Sequence, residues 1–328
     1  VWALGSASAI LGFVSHPMAR YYAKEAIQAS EKVNNPRSQM WTYLAVGVYQ
    51  LGIAEWEESR KSLLKMKEIA SNASDSRLEG DAEVVLAGLE YFRGADFESS
   101  QKYYSNLSAQ AKKSGNLLHR TWSTYGTALN QMIRGEFEGA LESMKDGENL
   151  DNTNINVAQL YAMRAYATWR LGRDEEAVKN MVKSLPILLP LPQTIYSLLA
   201  SYKLLSQVIF EILESGKTFE IDGWRTKAEI QKTISVLMKL QKKFKPAFPM
   251  AEPSYLYFEG LQDWLYGKKD SAFKHWQRSA EVARKYSMTL DEGMAWRELG
   301  KHSQGVAREQ ALRIDRKSTR LNSSHLVI

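Results

Sequence analysis

The segment ESGKT, residues 214–218, resembles the last residues of a phosphate-binding loop. Such a loop needs another glycine five residues before Gly216, so that backbone amides surround the phosphate. That position holds Glu211, whose carboxylate would repel phosphate. The segment also follows a predicted helix, whereas a phosphate-binding loop follows a strand. We therefore interpret Gly216 as a helix stop and predict no nucleotide site here.

Histidines and lysines suggest no other catalytic or metal centre. The histidines before the C-terminal tail are widely separated and lack the paired spacing of a zinc or general-base site. They are His16, His119, His275 and His302. One short basic cluster has the three- and four-residue spacing of a solvated helix face. It comprises Lys239, Lys242, Lys243 and Lys245. The sequence therefore predicts no catalytic residue, no cofactor-binding residue and no metal ligand.

Composition narrows the class of protein further. The 328 residues include no cysteine, which removes disulfides, thiol nucleophiles and zinc fingers and favours a reducing, cytoplasmic compartment. The 43 Lys and Arg against 37 Asp and Glu give a net charge of +6. A dedicated nucleic-acid binder normally exceeds this charge and concentrates it on one face. We therefore expect a cytoplasmic protein that binds no nucleic acid.

The elements that would position any site are helices. Residues 37–185 contain no proline, and apolar residues such as Leu160, Met163 and Ala167 recur every three or four positions. One pattern repeats: an aromatic-rich segment ends at a glycine, and a second amphipathic segment begins a few residues later. The marker glycines of this pattern are Gly52, Gly94, Gly135, Gly172 and Gly267.

The spacing of the marker glycines predicts the fold class. The first four lie 42, 41 and 37 residues apart, which is typical of two-helix repeats and longer than a strict tetratricopeptide unit. Each glycine is expected at a left-handed or close-packed turn, and the acidic residue after it suits the N-terminus of the next helix. We predict an all-α solenoid: a right-handed superhelix of about six or seven antiparallel helical hairpins, without a sheet.

Prolines interrupt this pattern in the second half of the chain. The run PILLPLPQT, residues 186–194, is expected to break it, with Thr194 capping a helix through Phe210 towards Glu214. A second helix is expected from about Trp224 to Phe244. We assign tetratricopeptide-like repeats to residues 36–190, degenerate repeats to residues 191–305 and a helix end to residues 306–314. A kink in one superhelix and a boundary between two blocks both fit the proline-rich stretches.

Both ends of the chain depart from the repeat pattern. Residues 1–35 are expected to be the remnant of an upstream helical repeat, because the apolar stretch 2–14 is too short for a membrane span and lacks a signal peptide's basic start. Residues 315–328, DRKSTRLNSSHLVI, are polar and unpatterned and resemble a translated sequencing adapter. We set them aside as a disordered artefact, which reduces the net charge to +4.

Aromatic residues are numerous, with nine tryptophans and 16 tyrosines. Most should pack between helices, since each buries roughly 150–250 Å². Some could line a concave groove that captures a peptide or helix. The candidates for that groove are Trp41, Tyr49, Trp122, Tyr125, Tyr161 and Trp169.

Three runs carry a more specific resemblance: WSTYGTALNQMIRGEFEGALESM, PLPQTIYSLLASYKLLSQVIFEI, and the stretch from FPMAEPSYLYFEGLQDWLYG to MTLDEGMAWRELG. They are similar to the C-terminal helical region of soluble class III adenylate and guanylate cyclases. In that group a cyclase domain, or sometimes a kinase domain, precedes a P-loop ATPase module and a long repeat tail. The resemblance covers most of residues 17–303. The family's catalytic aspartates and Walker loop have no counterpart here.

The resemblance implies a non-catalytic regulatory and protein-interaction region of a multidomain signalling protein. Its concave face would bind an intramolecular cyclase or ATPase domain, or a partner peptide. Two alternatives remain: a free-standing tetratricopeptide-repeat scaffold or co-chaperone, and the repeat tail of a kinase–ATPase protein. A co-chaperone's carboxylate clamp would need Lys, Arg and Asn aligned on successive first helices, and no such set is evident. An α/α-toroid enzyme would need converging carboxylates, whereas the acidic residues after the marker glycines are placed as helix caps.

Overall fold

The computed structural model describes residues 15–94, 96–147 and 153–305, with residues 308, 309 and 313. The expectations for residues 1–14 and 315–328 lie outside the described residues, as does most of 306–314. Fourteen α-helices and one short 3₁₀ helix, and no strand, make up the regular structure of the described part. The helices are α1 His16–Glu31, α2 Pro36–Gly52, α3 Trp56–Asn72, α4 Ser76–Arg93, α5 Phe97–Ser114, α6 Leu117–Ile133, α7 Phe137–Gly147, α8 Asn154–Arg170, α9 Asp174–Leu188, α10 Leu198–Ser215, α11 Lys227–Phe244, α12 Glu252–Leu265, α13 Lys269–Lys285 and α14 Thr289–His302.

The helices pack as successive antiparallel pairs. The hairpins are α2/α3, α4/α5, α6/α7, α8/α9, α10/α11 and α12/α13, and the first helix of each hairpin also contacts the first helix of the next. This pairing confirms the predicted all-α solenoid. Neighbour-to-neighbour packing is needed because one hairpin cannot bury both of its apolar faces. We call the side formed by the first helices α2, α4, α6, α8 and α10 the inner face.

The turns between helices share one geometry. A residue in the left-handed conformation ends the helix, and the backbone N–H of the following residue reaches back to a carbonyl five positions earlier. These hydrogen bonds run from Glu55 to Gln50, Asp75 to Ala70, Asn116 to Ala111, Glu136 to Gln131, Arg173 to Thr168, Lys268 to Asp263 and Met288 to Ala283. The same hydrogen-bonded turn therefore recurs both within hairpins and between them.

Four marker glycines adopt the predicted left-handed turn, and Gly52 does not. Gly94, Gly135, Gly172 and Gly267 have φ between 68° and 80°. Gly52 is the last residue of α2, and the left-handed residue of its turn is Ala54, with φ 61°. A Cβ on Gly52 would lie 2.6 Å from the Phe248 ring, so this glycine allows the close approach of α2 to the segment that follows α11.

The proline-rich region differs in detail from the sequence prediction. Pro186 lies inside α9, and α10 begins at Leu198, so Thr194 does not cap it. Helix α11 begins at Lys227 rather than near Trp224, because Thr226 and Glu229 form a reciprocal capping box. Gly216, with φ 70°, ends α10 and is the marker glycine of the fifth hairpin.

One hydrophobic core runs through most of the hairpins. It includes Leu51 and Trp56 near the start of the described chain and Leu299 near its end. The two regions also meet directly: Trp56 Nε1 donates a hydrogen bond to the Tyr286 carbonyl. The solenoid therefore curls until its last hairpins contact its first.

Candidate functional site

The inner face encloses a cavity of about 470 Å³, which we call the inner cavity. Its lining is mostly apolar and comes from helices α2, α4, α5, α6, α8 and α10 and from the loop before α10. Six aromatic rings dominate it: Tyr91, Phe92, Tyr104, Trp122, Tyr125 and Tyr196. Gly88 and Gly126 also belong to the lining: the Tyr104 ring occupies the space beside Gly126, whereas a Cβ on Gly88 would meet only Tyr196, at 3.7 Å.

Gly126 shows how the sequence builds this cavity wall. A Cβ on Gly126 of α6 would lie 2.1 Å from the Tyr104 ring of α5, so only glycine lets the ring lie flat against the helix. With Trp122, Tyr125 and Leu129, this glycine follows the first-helix pattern of a tetratricopeptide repeat. The same packing that joins two hairpins therefore directs Tyr104 into the inner cavity.

Within the described residues, three tyrosines that line the inner cavity have no hydrogen-bond partner for their hydroxyl groups. They are Tyr91, Tyr104 and Tyr196, and no hydrogen bond joins any of these hydroxyls to the described part of the chain. Burial raises the pKa of all three phenols, and Tyr104 is raised further by the neighbouring Tyr196 and Tyr91. The three groups therefore remain protonated near neutral pH and are available as donors.

One carboxylate is the only charged group among the described residues that line the inner cavity. Asp81 lines the cavity, and its Oδ1 lies 2.9 Å from Nε2 of the buried His119. His119 packs against Gly80, where a Cβ would lie 2.4 Å from the imidazole. No lysine, arginine or histidine belongs to the lining formed by the described residues.

A second, smaller cavity of about 120 Å³ continues along the inner face and shares Tyr91 and Leu129 with the first. Helix α14 closes it with Leu290, Met294 and Arg297. Helix α14 therefore lies against the inner face of the chain's own first helices.

Specific polar contacts hold the first turn of α14. Asp291 is 3% exposed, and both of its carboxylate oxygens accept hydrogen bonds from Lys203 Nζ of α10, at 2.8 and 2.9 Å. The Thr289 hydroxyl donates to the Gly94 carbonyl. Leu290 packs closely on Gly94: a Cβ added to Gly94 would lie 2.9 Å from the Cβ of Leu290.

The six predicted groove aromatics divide into two groups. Trp122 and Tyr125 line the inner cavity. The other four pack elsewhere. Tyr49 is buried and donates to the His16 carbonyl, and burial raises the pKa of its hydroxyl to about 12. Trp41 packs on the core near Met40 and Tyr43, Tyr161 lies under Lys183, and Trp169 donates to Glu211 at 2.6 Å.

Sequence reasoning missed Tyr91, Phe92, Tyr104 and Tyr196. A signal for two of them was present: Tyr91 and Phe92 lie three and two residues before the marker glycine Gly94, at the end of a first helix. Tyr104 lies on a second helix and reaches the inner face only because Gly126 admits it. Tyr196 lies in the loop before α10, which was expected to be helix.

The motifs weighed for chemistry have structural roles. Gly216 ends α10 in the left-handed conformation. Glu211, which stands where a phosphate-binding loop would have its first glycine, accepts hydrogen bonds from Trp169 and Gln207. Lys239, Lys242 and Lys243 are exposed on α11. His302 stacks between Trp264 and Trp276, with ring centroids 3.8 and 5.3 Å away. Within the described residues, no group of three or more His, Asp and Glu side chains could hold a metal ion.

Comparisons with known proteins gave no relatives: neither the family models nor the curated proteins include a match to this chain. No helix in the described ranges combines the length and apolar character needed to cross a membrane.

Proposed function

We propose that this chain is a non-catalytic regulatory and protein-interaction region of a multidomain signalling protein. The observation that carries the proposal is the position of α14 on the inner face. A surface that buries an amphipathic helix of its own chain has the shape and chemistry to bind a helix from another domain or partner. Regulation would follow if α14 and that partner helix competed for the inner face.

The contacts of α14 support an exchangeable helix. Its first turn is fixed by the Lys203–Asp291 ion pair, and its end carries the half-exposed pair between Lys301 and Glu214 at 2.9 Å. Between these two pairs, Met294 lines the second, smaller cavity; Leu290, at the start of the helix, also lines this cavity and packs closely on Gly94. A helix held by few polar contacts above unfilled space can be displaced more easily than a fully packed one.

Charged side chains on the inner face form ion pairs with one another, which is typical of helix packing rather than of acid–base catalysis. Arg170 bonds to Glu211 at 3.1 Å, and Lys203 bonds to Asp291. General acid–base catalysis needs titratable groups with access to a bound substrate, whereas these groups satisfy each other. The proposal therefore assigns the chain to binding, with no cofactor, no nucleic acid and no membrane span, in the cytoplasm.

The sequence resemblance supports a soluble adenylate or guanylate cyclase with an ATPase module as the parent protein. Extending the coding sequence upstream tests this assignment. We expect a class III cyclase domain followed by a P-loop module. A kinase domain in place of the cyclase would assign the tail to the kinase–ATPase group. If none of the three is present, the assignment is wrong and a free-standing scaffold becomes the better proposal.

The non-catalytic part of the proposal has its own test. Purified protein is expected to show no cyclase activity and no ATP hydrolysis above a buffer blank with Mg²⁺ or Mn²⁺ present. Measurable turnover that increases with protein concentration and persists through further purification would contradict it.

A further inference from the structure

We propose that the inner cavity binds a neutral, largely apolar small molecule that contains a ring and carries a hydrogen-bond acceptor such as a carbonyl group. This site is separate from the helix-binding role of the inner face. Its existence does not depend on which protein partner, if any, displaces α14.

The size and lining of the inner cavity suit such a molecule. Ligand sites generally occupy about 300–1,000 Å³ and are mostly apolar with a few converging polar groups. The inner cavity holds about 470 Å³ and is surrounded by aromatic rings from three helices and a loop. Aromatic side chains favour flat ring systems, which they contact by stacking or edge-to-face packing.

The unpartnered tyrosine hydroxyls indicate which polar group the molecule carries. A tyrosine hydroxyl that borders an accessible cavity and has no protein partner is free to donate a hydrogen bond to water or to a bound molecule. The hydroxyls of Tyr91, Tyr104 and Tyr196 have no such partner in the described part of the chain. All three are protonated donors at neutral pH, so a ligand with a carbonyl, ether or ring-nitrogen acceptor would satisfy them.

Charge around the cavity disfavours ionic ligands. An anion would lose its hydration without gaining a cation, since no Lys, Arg or His lines the described part of the wall. It would also face the carboxylate of Asp81. A cation would find that carboxylate already engaged, with His119 Nε2 at 2.9 Å from Oδ1. A neutral molecule avoids both costs.

Two fluorescent probes distinguish these ligand classes in the full chain. Prodan is a neutral naphthyl ketone, whereas anilinonaphthalene sulfonate has a similar ring system and a negative charge. We expect saturable binding of prodan with blue-shifted emission and at least about tenfold weaker binding of the sulfonate, because only the sulfonate must bury an unpaired charge.

Variants of the cavity wall locate the binding. Gly88 is a helical residue whose added Cβ would meet only Tyr196, at 3.7 Å, so Gly88→Leu should fill the cavity without disturbing α4. We expect it to weaken prodan binding by about tenfold or more. Tyr196→Phe should weaken it by about two- to tenfold, the effect of one lost hydrogen bond. Tyr161→Phe is the matched control outside the cavity and should bind as wild type.

Circular dichroism and thermal unfolding establish that each variant folds. If Gly88→Leu does not fold, Gly88→Ala and Tyr196→Phe provide the comparison. The proposal is overturned if wild type shows no saturable prodan binding, or if the sulfonate binds as tightly as prodan. It is also overturned if the folded Gly88 and Tyr196 variants bind prodan like wild type.

Discussion

At the scale of single residues, the molecule pairs glycine on one helix with a large ring on the next. Gly126 and Tyr104 are one such pair, and Gly260 with Trp276 is another, with a Cβ at 2.3 Å from the indole nitrogen. A methyl group at these positions has no space unless the ring or backbone moves. The pairs therefore fix the distance between neighbouring helices and, at Gly126, the shape of the inner cavity.

Substituting Gly126 tests this packing. We expect Gly126→Ala to lower the free energy of unfolding by about 1–3 kcal/mol, because overpacking outweighs the gain in helix propensity. Gly88→Ala is the control on the same face: its Cβ makes only an ordinary contact, so it should be neutral or stabilising by up to about 1 kcal/mol. Urea unfolding measures both. Equal effects of the two substitutions would contradict the steric explanation.

The cap of helix α5 predicts a pH dependence. Asp96 accepts hydrogen bonds from the Ser99 hydroxyl at 2.6 Å and the Ser99 backbone N–H at 2.9 Å, and these bonds lower the pKa of the Asp96 carboxyl. Because the folded pKa is lower than the unfolded one, the cap stabilises the protein above the ordinary pKa of 3.8 and is lost as the pH falls through the lowered value.

The measurement for the cap is thermal unfolding across a pH series. Asp96→Asn keeps an accepting oxygen and does not titrate, so it should lose less stability than wild type between about pH 5 and pH 2. At neutral pH, Asp96→Ala should cost about 1 kcal/mol. Parallel pH profiles for wild type and Asp96→Asn would show that this carboxylate contributes nothing to acid sensitivity.

Two of the aromatic residues that the sequence suggested for a groove lie on the wall of the inner cavity. Trp122 and Tyr125 follow the first-helix motif, and both line the inner cavity. Tyr104 has no such motif, since its position depends on the absence of a side chain at Gly126, 22 residues later in the chain. Two other aromatic residues suggested for the groove contribute to packing instead. Tyr49 is buried, and Trp169 donates a hydrogen bond to Glu211.

At the scale of elements, the same left-handed turn occurs between helices both where the sequence has a glycine and where it has another residue. Glycine predicted the left-handed turns at Gly94, Gly135 and Gly172, because it adopts positive φ at no steric cost. Ala54 adopts the same conformation despite its Cβ, and no composition rule identifies it. Both helices of the fifth hairpin were expected from the sequence, but Gly216 was not counted as a marker glycine, since ten residues, rather than one or two, separate it from α11.

The contact between α10 and α14 is predicted to depend on one buried ion pair. Lys203→Met leaves the Asp291 carboxylate buried without a partner and should lower the free energy of unfolding by about 3–5 kcal/mol. Lys301→Met breaks the half-exposed pair with Glu214 between the same two helices and should cost at most about 1 kcal/mol.

A double-mutant cycle in urea completes that comparison. Lys203→Met combined with Asp291→Leu should cost less than the sum of the single changes, because no charge is left buried without a partner. Additive effects would show that Lys203 and Asp291 do not interact, and would remove the main polar contact proposed for α14.

At the scale of the whole molecule, the solenoid is curled so that its last hairpins reach its first. Trp56 bonds to the Tyr286 carbonyl, and the ring of Phe248 covers Gly52. Periodicity predicted the hairpins and their order because each hairpin is a local unit. It could not predict the closure, since contacts between residues some 200 positions apart depend on the accumulated angle of every turn.

The most direct test of the proposed interaction role asks whether the inner face can accept α14 as a separate molecule. A fluorescein-labelled peptide of residues 287–305 is titrated with the full chain and followed by anisotropy. Wild-type protein should bind it weakly, because its own α14 is present at a high effective concentration. The Asp291→Ala chain, whose own α14 is loosened, should bind the wild-type peptide at least about tenfold more tightly.

A peptide carrying Asp291→Ala is the matched control and should not bind the loosened chain. Circular dichroism first establishes that the Asp291→Ala chain is folded. An exchangeable helix site on the inner face predicts that the Asp291→Ala chain binds the wild-type peptide saturably and does not bind the Asp291→Ala peptide. Failure of the folded variant to bind the wild-type peptide, or equal binding of both peptides, would contradict that role.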